Sequence, residues 1–193
     1  MNRTVLLLVL FMLSVAACKN KKSETGDASG FFPVVSYLQS QARHIDTSLY
    51  SITQVRSMQG ARDTAYLRRE DFKAAAQDFL SLPDIASKEF REKYTETKLY
   101  DEVLKKVVLS YQPKDRKDVE QITREDVIIE PGDEKGDQVQ TIYIETVVNN
   151  DDSTVQKKMT WNVNKNFQVI KLVDKKDRPE AVLTTDVTWS GGH

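Results

Sequence analysis

From about residue 95 onward, apolar and polar residues alternate with a period of two. The pattern is cut into pieces by short, turn-rich separators, and this feature constrains the fold most. Residues 106–111 alternate, with Val107, Leu109 and Tyr111 on one side, and Pro113 stops the run. Residues 127–130 close on the Pro131-Gly132 turn signal, and runs at 139–148, 155–163, 167–173 and 181–189 follow. Between these lie Asn149-Asn150-Asp151-Asp152, Asn164-Lys165-Asn166 and the stretch 174–179, all of hairpin length. A parallel crossover takes about a dozen residues or more, so such connections force antiparallel neighbours.

The first half reads differently. Val34, Leu38, Ala42 and Ile45 recur at helical spacing over residues 31–46, with Pro33 in the first turn. Residues 49–55 alternate as a strand, Gly60 marks a turn within 57–63, and 64–68 returns. Phe72, Ala75, Ala76, Phe79 and Leu80 then form a helical stripe ended by Pro83, and Asp84 can cap a short helix over 85–94. The expectation is an α+β domain, with N-terminal helices packed on a curved antiparallel meander of five to seven strands. Its element order resembles the cystatin-like and cone-like folds and the half-barrels of envelope lipid carriers, a likeness that implies no activity.

At the N-terminus, Arg3 precedes a nine-residue apolar run at 5–13, VLLLVLFML. A membrane span needs about 20 such residues, so this length followed by small residues reads as a secretory signal peptide. The segment Val15-Ala16-Ala17-Cys18 resembles the lipobox of bacterial lipoproteins. The resemblance implies cleavage before Cys18 and acylation of its thiol, with palmitate-like chains holding the protein on a membrane. Two or more acyl chains anchor stably, whereas one binds only marginally. Lys19 in place of an aspartate implies export to the outer membrane. Lys19-Asn20-Lys21-Lys22 departs from the acidic cluster of surface-exported Bacteroidota lipoproteins, which favours a domain facing the periplasm. The expected organisation is a signal peptide at 1–17, a lipidated cysteine and flexible tether at 18–30, and one domain at 31–193. With 12 residues, the 19–30 segment reaches at most about 40 Å.

Composition removes several function classes. A formal charge of −1 among 28 basic and 29 acidic side chains is no field for nucleic acid. One cysteine permits neither an intrachain disulfide nor a cysteine-based zinc site. Of the two histidines, His193 is terminal, and His44 sits on the polar side of the first helix. No nucleophile–base pair, metal-ligand spacing or glycine-rich phosphate cradle is evident, so no catalytic residue, metal or cofactor is assigned. Asp133, Glu134 and Asp137, and the pair Asp151-Asp152, read as solvated turns. Met159 and Trp161 share a strand face, Phe167 lies across the hairpin, and Trp189 ends the last strand. These four are core or, where helices leave a mouth uncovered, the candidate binding surface. Lys157-Lys158 and Lys175-Lys176 read as protection of open sheet edges. The expectation is a non-enzymatic envelope module for a protein or small amphiphile. An envelope hydrolase using unidentified carboxylates and a structural subunit of an envelope complex are the alternatives.

Overall fold

The computed structural model describes residues 30–115, 122–132 and 136–190. Residues 1–29, with Cys18 and the lipobox, lie outside that set, as do Asp133, Glu134 and His193. The unit beginning at Phe31 is built on one antiparallel sheet of nine strands. In chain order these are β1 (Ser51–Met58), β2 (Ala61–Leu67), β3 (Tyr94–Asp101), β4 (Lys106–Pro113), β5 (Ile122–Glu130), β6 (Gln138–Asn150), β7 (Ser153–Asn162), β8 (Asn166–Lys175) and β9 (Ala181–Ser190). Their order across the sheet is β2-β1-β9-β8-β7-β6-β5-β4-β3. The seven strands from β3 to β9 are thus a meander, and the first hairpin docks on the outside of the last strand.

This corrects the expected fold class. The protein is predominantly β, and helix is a minor component: α1 (Val34–Thr47) has 14 residues, while α2 (Phe72–Ala75), α3 (Gln77–Leu80) and α4 (Lys88–Arg91) are single turns of four. The apolar stripe at 72–80 is real, but Ala76 leaves helical geometry at ψ 6° and divides the stretch into two turns. Isolated short helices are marginal in water, so packing rather than propensity holds these turns. Strand number was underestimated for a different reason. Edge strand β3 exposes nearly all its side chains and therefore lacks the alternation that marks a half-buried strand.

Turn chemistry fixes the register. Gln59 and Gly60, at φ 50° and 85°, join Met58 to Ala61 with both residues left-handed, as a two-residue hairpin of matching twist requires. Asn164, at φ 59°, turns the β7–β8 hairpin so that Trp161 faces Phe167. From there an apolar row crosses the sheet through Leu109, Val127, Ile142, Trp161, Phe167 and Val187. Trp189 and Ile52 pair beside it. Phe72 and Phe79 meet Trp161, Phe167 and Trp189 with ring centroids 5.3–6.0 Å apart. Val34, Leu38, Ala42 and Ile45 of α1 join the same buried cluster. The inner face of the sheet therefore carries the core.

The lysine pairs do not protect edges. β7 is the central strand and β8 lies next to it, whereas the edges are β2 and β3. Lys157 instead donates to Asp78 of α3 at 2.5 Å, and Lys158 approaches Glu145 at 4.0 Å on the other face. Charge at the true edges comes from Arg62 and Asp63 in β2 and from Glu96 and Lys98 in β3.

Candidate functional site

The residues singled out from sequence occupy the core. Met159, Trp161, Phe167 and Trp189 are all buried, with Trp161 and Phe167 stacked at 5.3 Å, so they present no open surface. His44 is exposed on α1, edge-on to Tyr50 at 6.1 Å. Asp151 and Asp152 form the exposed two-residue turn between β6 and β7.

The structure draws attention to residues 122–126, which sequence reading leaves outside a strand. Ile122 pairs with Thr146 and Arg124 with Glu145, so Thr123 is an extra residue in β5, a bulge. Without the bulge, Ile122 would share a face with Arg124. With it, Ile122 and Glu125 both point to the core, while Arg124 and Asp126 point outward together.

On the outer face, Asp126 is the hub of a polar network. Ser110 Oγ donates to its Oδ1 at 2.6 Å, and Arg124 donates to its Oδ2 through Nε and Nη2, both at 2.8 Å. The hydrogen bond to Asp126 holds the Arg124 proton more firmly than usual, raising its pKa. The guanidinium also lies 6.0 Å from the Tyr143 ring centroid. Burial, then the charge of Glu145, pushes the Tyr143 phenol up. Glu145 is fixed in turn, accepting from Gln156 Nε2 at 2.9 Å.

Arg124 and Glu145 open into a cleft of about 510 Å³, whose other lining residues are Gln112, Pro113, Thr123, Val147, Asn149 and Gln156. It offers one cation, one anion, three side-chain amides and a small apolar floor. This lining can recognise a polar group bearing both signs of charge. Each charged group already has a protein partner that sets its direction, so it is organised before a ligand arrives.

The inner face carries a second unusual group. Glu125 lies between Tyr111 and Ile144, fully buried, and among the described residues neither carboxyl oxygen has a hydrogen-bond partner. Burial, reinforced by the charges of Asp84 and Asp126, pushes its pKa up to about 8. It therefore holds its proton at neutral pH, avoiding the several kcal/mol that burying an unpaired carboxylate costs. Tyr111, whose own pKa rises to about 12 chiefly through burial, spends its hydroxyl on accepting the Phe32 N–H at 3.0 Å. A raised carboxyl pKa is what a general acid needs, but Glu125 is closed off from solvent. The indole nitrogens of Trp161 and Trp189 are also buried, without hydrogen-bond partners among the described residues.

No family model, no curated protein and no solved structure matches the chain. The likeness to cystatin-like and cone folds thus has only element order behind it, and the observed order, with β1 and β2 added beyond β9, departs from the one expected.

Proposed function

We propose that this chain is a lipid-anchored protein of the bacterial outer membrane whose domain faces the periplasm and binds a partner without covalent chemistry. The location rests on the apolar run and Val15-Ala16-Ala17-Cys18. The binding role rests on one observation above others: the outer-face cleft, with Arg124 and Glu145 fixed at its wall by Asp126 and Gln156. Opposed charges among side-chain amides, over Val147 and Pro113, suit the head of a small zwitterionic amphiphile or an exposed segment of another envelope protein.

Photo-crosslinking in native membranes tests the reading. Benzoylphenylalanine in place of Gln112, at the wall of the cleft, should trap a discrete species, whereas the same group in place of Asp63 on edge strand β2 should not. Arg124→Ala with Glu145→Ala should abolish the adduct when equal amounts of folded protein are compared. Adducts equal at both positions, or unchanged by the double substitution, would sink the cleft as the binding site.

A further inference from the structure

Strand register sorts the exposed apolar side chains by position. The pairings Asp101 with Lys106, Asn162 with Asn166, Ser51 with Ser190 and Ile52 with Leu67 bring the β3–β4 turn, the β7–β8 turn, the end of β9, the start of β1 and the end of β2 to one end of the sheet. That end carries the most exposed apolar groups of the described residues. Val103 is 91% and Leu104 65% exposed in the β3–β4 turn, flanked by exposed Leu99 and Tyr100. At the opposite edge, Leu49 is 89% and Tyr66 83% exposed. Among the described residues the far end has Met58, Val182 and Val148, each less exposed than Val103 or Leu104, beside Lys175, Lys176 and Arg178.

The turn is ordered, and its apolar residues are held in place. Asp101 Oδ1 accepts the backbone N–H groups of Val103 and Leu104 at 2.9 and 2.8 Å, and Lys105 closes the loop at φ 53°. Such a turn keeps two apolar side chains in water although the backbone around them is satisfied.

We propose that this end of the sheet, led by Val103 and Leu104, inserts into the interfacial layer of the membrane that carries the anchor. Two observations select a bilayer over a protein partner. Tyr100 and Lys105 beside the apolar tip match the amphipathic groups that sit at head-group level, ring or stem inward and polar end in water. Lastly, Phe31 packs on Tyr111 at 4.8 Å, only five residues up β4 from the turn, or about 17 Å. The 12 residues at 19–30 reach at most about 40 Å, so the turn can meet the membrane that holds Cys18. Lys105 and Lys106 are outnumbered by Asp101, Glu102 and Glu130, the last 3.7 Å from Lys106, so insertion is driven by apolar burial and needs no anionic lipid.

The inference rests on the lipid-anchored reading above, and the test separates the two. The mature full-length protein, exported and purified from membranes, is made with Val103→Cys or Asp151→Cys, labelled with an environment-sensitive fluorophore, and reconstituted in phosphatidylcholine vesicles carrying nitroxide-labelled lipid. The label at 103 should shift to the blue and lose emission to the nitroxide, while the label at 151, in the exposed β6–β7 turn at the other end, stays water-like. Adding Leu104→Glu should reverse the shift at 103 while the protein still floats with the vesicles. A water-like, unquenched label at 103 in floating protein would overturn the insertion alone, as would equal quenching at both positions. Protein that fails to float would overturn the anchoring reading, and the insertion with it.

Discussion

Raising the pH from 5 to 8 should drain stability from this protein through one side chain. Glu125 is fully buried without a hydrogen-bond partner among the described residues, and burial pushes its carboxyl up to about 8 in the folded chain against an ordinary 4.5. Below about 4.5 both folded and unfolded chains hold the proton, and this group contributes nothing adverse. Between 4.5 and 8 the unfolded chain releases a proton that the folded chain keeps, so stability falls by about 1.4 kcal/mol for each pH unit. Above 8 both forms are ionised and the loss levels off, at on the order of 5 kcal/mol in all. Glu125→Gln keeps the shape and removes the charge. Urea unfolding of both proteins from pH 4.5 to 8.5 isolates the effect, because every other side chain is common to the two. The two should be nearly equally stable at pH 4.5, and the variant should be the more stable by several kcal/mol at pH 8. A difference that stays constant across this range, or one that favours the wild type as pH rises, would refute the burial of an unpaired carboxyl on the inner face.

Other outcomes follow from the same packing. Trp161→Ala should cost about 3 to 5 kcal/mol by thermal or urea unfolding, since its ring sits against Phe72, Phe79, Phe167 and Trp189. In Trp189→Phe, emission from the remaining Trp161 should be blue-shifted and protected from iodide. Gly60→Ala meets no atom within 4 Å but must hold φ 85°, so it should cost about 1 to 2 kcal/mol from backbone strain alone, read as a lowered Tm. Arg124→Ala should cost about 1 to 3 kcal/mol, because it leaves the Asp126 carboxylate, only 9% exposed, with Ser110 as its donor, while removing capture at the cleft. An unchanged Tm in that variant would show that the Asp126 carboxylate needs no counter-ion.

Strands were legible where one face is buried and the other wet. β6 to β9 follow the alternation closely because Ile142, Ile144, Met159, Trp161, Phe167, Val169 and Val187 must all point one way. β3 lies where the period of two begins, near residue 95, but an exposed edge has no buried face to fix its limits, and its hairpin partner β4 shows only in Tyr111, Leu109 and Val107. The nine-strand count and the docking of β1 on β9 depend on pairings distant in sequence, which no local period encodes. Aromatics read as core or pocket proved buried, since period two fixes the side a residue faces but not what covers it. The cleft was hidden more thoroughly. Arg124, Glu125 and Asp126 form a charged run that looks like loop, and only the bulge at Thr123 sends Glu125 inward and its neighbours outward. The one local hint was an isolated Ile122 standing before that run.

Acylation of Cys18 is decided by the intact mass of the N-terminal peptide of the mature chain isolated from its native membrane. A peptide starting at Cys18 and heavier by two or three acyl chains, with Cys18→Ser abolishing that mass and releasing the domain to the soluble fraction, is the expected result. A mature chain that starts elsewhere, with Cys18 a free thiol or absent, would contradict the account.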